Sequence, residues 1–439
     1  MKKVCSDKVE LVTFSDLALL RVTTSFVESS ALAFGLGPDE TIQLTLAVEE
    51  IFAHLCKTVP HKDPIWLNVA GRGYEVETEF IFSCHEFDLR VFNLACVQGH
   101  GEDLECTDET GMMIASRMVD SFSLEHSKSK LKLKLIKEKF YPEIEQYKET
   151  CPDYSGEINV READIDEIKD LIGLASVNYP KINLPECFRY PGKVIDMAAY
   201  GYYHVVVAVD HSGMVAGGIT WRWESEHLVT FRGPFVTPAL KSSQIPDRLI
   251  EHLIEQTART KAIGVICSWP TSDLPGSLFE ELGSQYFMNQ GQKTEVKAYF
   301  RQLNEDPGNT LVVHSCIVEF VKKKTQELFL GRQIETLIYT GESRFRHSVI
   351  SAKILRSSDR AILRPVIYGD DATDNLMAHV RLLNNDGIEN IFFEMDLGFS
   401  QYGMFAPSLI ECSFKPRFLI PLAGKSDIVV FQYLPGETN

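Results

Sequence analysis

Val206-Val-Ala-Val-Asp-His-Ser-Gly-Met-Val-Ala-Gly-Gly218 is an apolar run, a polar turn and a second apolar run. The pattern predicts a strand over Val205–Asp210, a hairpin turn at His211-Ser-Gly213 and a returning strand over Val215–Trp223. Outward from it, Leu228–Val236 reads as a strand, Leu249–Thr260 as a helix and Gly264–Trp269 as a buried strand. Upstream, Glu157-Ile-Asn-Val-Arg and a helix near Ala163–Leu174 open the block. A helix over Leu274–Leu282 and a strand over Lys293–Arg301 close it near residue 304.

The preceding block, residues 1–145, starts with a strand at Val9–Phe14 and a helix around Asp16–Phe34. Gly35-Leu-Gly-Pro-Asp breaks the chain before a second helix, Glu40–Lys57. Its Ile42, Leu44, Leu46, Ala47, Ile51 and Leu55 are expected to fall mostly on one face. Strands are expected at Ile65–Ala70, Val76–Phe82 and Leu89–Val97, then a helix near Gly111–Ser121. The run from Lys128 to Lys139 alternates lysine with apolar residues. It reads as a strand with one wet face, and the alternative is a phosphate-binding stripe. The prolines and charges of 141–156 read as a linker. The block 308–439 has a helix at His314–Leu330 and strands at Arg346–Leu355 and Ala361–Tyr368. A helix Asp371–Asn385, a strand Asn390–Asp396, a helix Ala406–Cys412 and two terminal strands follow. Its order of elements resembles that of 157–304, which suggests a duplicated fold.

Net charge is −17 over 439 residues. An acidic chain repels phosphate backbones, which argues against nucleic acid as a partner. No run of about 18 apolar residues is present, so no membrane partner is expected. None of the ten cysteines forms a Cys-x-x-Cys pair and no Cys/His spacing matches a metal site. With no signal-peptide pattern at the start, a cytoplasmic location is expected.

The hairpin, together with Phe235-Val-Thr-Pro and Asp247-Arg-Leu-Ile-Glu-His-Leu, resembles the Gcn5-related N-acetyltransferase (GNAT) family. The resemblance implies acetyl-CoA as cofactor, with its pyrophosphate on a glycine-rich loop and helix start. The matching residues here are Val236, Lys241, Ser242, Ser243, Gln244, Ile245 and Pro246. All three glycines are replaced, and Pro246 has no amide hydrogen. Leu278-Phe-Glu-Glu-Leu-Gly283 matches the family's Leu-Tyr-x-x-x-Gly, with Phe279 in place of the acid tyrosine. Glu224 and Glu226 are the candidate bases, and His204 is a further one.

Gly35–His54 resembles the opening of a histidine-kinase-like ATPase domain of the anti-sigma-factor serine kinase type. The resemblance implies ATP or ADP as ligand. Glu50 matches the catalytic glutamate and His54 stands where that family has a magnesium-binding asparagine, a poor exchange for a hard cation. Asn93 and Ala95 match the Asp-x-Gly that meets adenine, and Gly111 opens the helix after the lid.

The fold expected is thus α+β and α/β: an N-terminal histidine-kinase-like ATPase sandwich (1–145) followed by two GNAT-like domains (157–304 and 308–439). The function expected is regulatory, by binding a protein partner (a sigma factor or small antagonist, by resemblance) or a small molecule. The alternatives are an active N-acyltransferase and a serine/threonine protein kinase.

Overall fold

The computed structural model describes residues 8–83, 93, 109–127, 130–143, 154, 156–241, 243–289, 291–337, 345–355 and 358–436. The strand expected at Leu89–Val97 and most of the expected linker 141–156 lie outside these. The chain is mixed α/β with several sheets. Two compact units divide it, and neither is one continuous run. The first gathers Met1–Phe140, Gly341–Lys353 and Ile362–Asp386; the second gathers Tyr141–Thr340, Ile354–Ala361 and Gly387–Asn439. Residues 308–439 are therefore shared between the units.

The first unit runs β1 (Lys8–Phe14), α1 (Leu20–Ala33), α2 (Pro38–Thr58), β2 (Pro64–Gly71), β3 (Glu75–Ser83), α3 (Glu109–Met118), β4 (Ser121–Ser127) and β5 (Lys130–Glu138). Its sheet is antiparallel throughout, in the order β1-β2-β3-β5-β4. One face carries Leu67, Phe80, Leu131 and Leu133 into a core with Val27 of α1 and Leu44, Val48, Ile51 and Leu55 of α2. That face of α2 holds Leu44, Ala47, Ile51 and Leu55 of the six residues expected on it. Ile42 and Leu46 stay exposed, because the buried positions 41, 44, 48, 51 and 55 follow the 3.6-residue period and those two fall off it.

The lysine-rich strand β5 lies inside the sheet, between β3 and β4. Its leucines enter the core and its lysines face glutamates: Lys132 lies 2.8 Å from Glu79 and Lys134 3.1 Å from Glu77. Cross-strand pairs of opposite charge answer the stripe within the sheet.

The second unit begins with β6 (Asn159–Glu162), α4 (Ile165–Asn178), α5 (Pro191–Ala199), β7 (His204–Val209), β8 (Val215–Trp223), β9 (Leu228–Val236), α6 (Ile245–Ala258), β10 (Gly264–Cys267), β11 (Glu280–Asn289) and β12 (Gln292–Gln302). The seven strands order as β11-β12-β10-β9-β8-β7-β6. Only β9 and β10 pair in parallel, with α6 as crossover. The helix expected at Leu274–Leu282 is instead a single 3-10 turn followed by β11. Pro275-Gly276 interrupts it, and Gly291, at φ 78°, turns β11 back on β12 as a hairpin.

Beyond these come β13 (Asn309–Val313), α7 (Val318–Glu327), β14 (Arg332–Thr336), β15 (Val349–Leu355), β16 (Arg360–Ile367), α8 (Ala372–Asn385), β17 (Asn390–Asp396), α9 (Ser400–Gly403), α10 (Ala406–Glu411), β18 (Phe414–Ile420) and β19 (Ile428–Tyr433). Within the second unit, β13 and β14 pair in parallel, and β19 pairs antiparallel with β17 and β18. Arg332 forks onto both oxygens of Asp427 (2.7 and 3.1 Å) and reaches Asp306 at 2.8 Å, fully buried. The bidentate geometry is what lets this charge stay inside.

β11 would be a bare sheet edge, and side chains cover it. Arg417 Nε donates to Ser284 O, Gln432 Oε1 accepts from Tyr286 N–H, and Asn390 Oδ1 accepts from Met288 N–H. Gln432 and Asn390 also donate back to the Tyr286 and Met288 carbonyls. Residues 284, 286 and 288 point one edge of the strand the same way, so two carboxamides and a guanidinium act as the missing partner strand. Both carboxamides are buried. Asn390→Ala leaves a strand N–H and C=O unmet and is expected to lower stability by roughly 2–6 kcal/mol, at about 1–3 kcal/mol per group. A urea melt reads this as a lower midpoint at constant slope. An unchanged midpoint would show that the clamp contributes nothing.

Candidate functional site

β9 and β10 run side by side only over Leu228–Thr230 and Gly264–Ile266. β10 ends at Cys267 while β9 continues to Val236, so a wedge opens between them. The N–H and C=O groups of alternate β9 residues point into the wedge, an edge that could hold an extended, amide-bearing ligand.

Protein side chains already occupy that edge. Thr271 Oγ1 donates to the Pro234 carbonyl at 2.8 Å. Tyr179 Oη accepts from Val236 N–H at 2.6 Å and lies 3.0 Å from Val236 O. The Tyr179 hydroxyl also meets Asp273 Oδ2 in a very short contact. Burial and then the Asp273 carboxylate push its pKa well up, so it stays a neutral hydroxyl. Its ring stands edge-on to Phe235, centroids 5.3 Å apart. Lys241 Nζ sits over the same ring at 4.6 Å and 3.7 Å from Asp273.

Local sequence puts Tyr179 there. Asp164 and Glu167 form a capping box that starts α4. Pro180 ends it, since the residue before a proline avoids the helical region. Tyr179 accordingly adopts φ −130°, ψ 145° at the helix end and swings its ring into the wedge.

The expected phosphate end is closed as well. At the start of α6, Ser243 Oγ accepts the Ile245 N–H (3.2 Å) and donates to Leu240 O (2.6 Å). Pro246 has no N–H, Gln244 makes no side-chain cap, and Asp247 adds a negative charge to the first turn. Ile245, Pro246 and Val236 are buried. Ser242 lies outside the described residues. The residues present do not fit an acyl-CoA.

The candidate bases are engaged elsewhere. Glu224 pairs with Arg222 at 2.9 Å. Glu226 is exposed and pairs with Lys261 at 2.7 Å, which holds its carboxyl below the usual range and makes it a weak base. His204 stacks on Trp221 at 5.2 Å, and burial lowers its pKa. Phe279 is extended rather than helical and packs on Phe231, so the Leu-x-x-x-x-Gly match carries no helical motif.

In the first unit, the Glu50 carboxylate lies directly against Gly111, and a side chain there would meet its Oε2. The structure thus brings those two together, while His54 sits half-buried one turn beyond Glu50. Ala95 lies outside the described residues. Asn93 is buried and its carboxamide is in use: Oδ1 accepts from Ile350 N–H (2.9 Å) and from Asn375 Nδ2 (3.1 Å), and Nδ2 donates to Ser348 O (2.8 Å). These are internal partners in place of a base. Among the described residues no group of three or more His, Cys, Asp or Glu side chains is placed to hold a metal. No helix among them is long and apolar enough to cross a membrane.

No family model matches the chain, and no curated protein matches it. Several solved structures are similar to part of it. One is a GNAT superfamily phosphinothricin acetyltransferase from Sinorhizobium meliloti in complex with acetyl-CoA, 19% identical, covering 34% of this chain and 90% of that one at a TM-score of 0.28. Another is a GNAT-family acetyltransferase from Staphylococcus aureus (15%; 34% and 100%; TM-score 0.26). A third is an aminoglycoside 6'-N-acetyltransferase complexed with coenzyme A (14%; 34% and 99%; TM-score 0.27).

Next to Asn375, the His379 ring donates to the Asn375 carbonyl at 2.9 Å and is fully buried. Burial pushes its pKa from 6.5 down to about 4. Between those values the unfolded chain binds a proton that the folded one refuses. The stability is therefore whole above pH 6.5 and falls as pH drops toward about 4. The loss is roughly 3 kcal/mol at about 1.4 kcal/mol per pH unit. In urea melts at pH 7, 5.5 and 4, His379→Gln is expected to flatten this part of the slope. An identical slope would remove His379 from the account.

Proposed function

We propose that this protein is a non-catalytic regulator that keeps an acyltransferase-like sheet as a scaffold and acts by binding a small ligand or a protein partner. The observation that carries the reading is the occupied edge of β9: Val236 gives its N–H to Tyr179, whose one hydroxyl proton lies between the Val236 carbonyl and Asp273, and Pro234 gives its C=O to Thr271. An acyl-CoA arm would have to break two buried hydrogen bonds to lie there, Val236 N–H to Tyr179 and Thr271 to the Pro234 carbonyl. The self-capped start of α6 and Asp247 support it, because a pyrophosphate would meet a carboxylate where it needs free amides. In the first unit the internal use of Asn93 supports the same reading for adenine. A sigma factor or small antagonist as partner is the extension that the sequence resemblance suggests.

The test is thermal unfolding of the full chain with millimolar acetyl-CoA, beside an assay of acetyl transfer to a panel of amines. No stabilisation and no transfer are expected. A ligand at 100 times its Kd stabilises by about 2.7 kcal/mol. A shift of that size, or any turnover lost on Tyr179→Phe, would overturn the proposal.

A further inference from the structure

We infer that Arg232 and Arg360, brought together around Trp269, form a binding site for a small oxyanion, a carboxylate or a phosphate. Arg232 projects from β9, and its Nη1 lies 3.5 Å from the Trp269 carbonyl. Arg360, at the start of β16, stacks its guanidinium over the Trp269 ring at 4.3 Å and is only 5% exposed. Its Nε donates to Ser358 Oγ at 2.9 Å. Among the described residues neither guanidinium has a carboxylate at ion-pair distance. The contrast with Arg332 of the same unit, which is buried on two aspartates, is direct.

Two guanidinium forks this close, with one weak and one side-chain hydrogen bond between them, leave most of their ten N–H donors unanswered by protein acceptors. A planar or tetrahedral oxyanion is the group that answers such forks, two N–H at a time. The charge state says the same. Burial lowers the pKa of both, and the Arg232 charge adds to the drop in Arg360, to about 9. Glu186 and Glu394 offset this only from a distance, and Glu186 Oε2 is itself buried without a hydrogen-bond partner. Among the described residues neither fork is thus filled at hydrogen-bond range by a carboxylate, and Glu186 and Glu394 act on Arg360 only through space. Amines, the cationic acceptors of many acyl transfers, are the wrong charge for it. The inference stands whether or not acyl-CoA binds in the wedge.

The experiment is thermal unfolding of the full chain in sodium phosphate, sodium succinate and sodium chloride at equal ionic strength, with Arg232→Met and Arg360→Lys beside the wild type. Phosphate, succinate or both should raise Tm saturably above the chloride control, by about 2–4 °C. The rise should disappear in Arg232→Met and shrink in Arg360→Lys, which keeps the charge and loses the fork. Ligand-free Arg232→Met should unfold no earlier than wild type, since it removes a desolvated charge repelled by its neighbour. A response to phosphate alone marks a phosphoryl ligand, and to succinate alone a carboxylate. Equal Tm in all three salts, or an undiminished response in Arg232→Met, overturns the site. So does ligand-free Arg232→Met unfolding well below wild type, the mark of a purely structural arginine.

Discussion

One hydroxyl holds the wedge of the seven-stranded sheet together. Two parallel strands that diverge leave backbone donors and acceptors facing a gap, and those groups must be met by water, by a ligand or by protein. Tyr179 meets them with a single oxygen that takes the Val236 N–H and reaches Asp273 beyond the end of β10. Thr271 does the same one alternation earlier, at Pro234. The gap that would make this sheet a binding cleft is thereby a seam. The placement is steric in origin, because a helix stopped by Pro180 leaves Tyr179 extended and aimed inward.

The same device recurs at the sheet's outer edge. β11 ends the order of strands, and the Asn390 and Gln432 carboxamides and the Arg417 guanidinium cover it at every second residue. An open edge invites pairing with another chain, and buried carboxamides remove that risk while tying residues more than a hundred positions apart. Polar groups inside this unit are therefore mostly answered by protein: Arg332 by two aspartates, the β9 edge by Tyr179 and Thr271, the β11 edge by the clamp. Against that background the Arg232–Arg360 pair stands out: among the described residues neither guanidinium has a carboxylate at ion-pair distance.

Much of the fold is legible in the sequence. The strands Val215–Trp223 and Leu228–Val236 fall where alternation and apolar runs place them, and so does Asn390–Asp396. β4 is hidden because Ser121–Ser127 is largely polar, and β11 because Phe279–Leu282 is compatible with a helix until Gly283 and the Gly291 turn commit it to a hairpin. The site is much less legible. Glu50 and Gly111 do meet, but the partners of Asn93 lie at Ser348, Ile350 and Asn375, more than 250 residues away. Tyr179 and Asp273 are 94 residues apart. No local spacing announces them. The one signal available was the Tyr-Pro step at 179–180, which fixes a helix end and an aromatic together.

The most direct measurement is hydrogen–deuterium exchange at the Val236 amide in the ligand-free protein and with acetyl-CoA added. If Tyr179 is its acceptor, that amide exchanges slowly on its own and at the same rate with acetyl-CoA present. Fast exchange that slows on adding acetyl-CoA would show an open edge waiting for the cofactor, and would contradict the account.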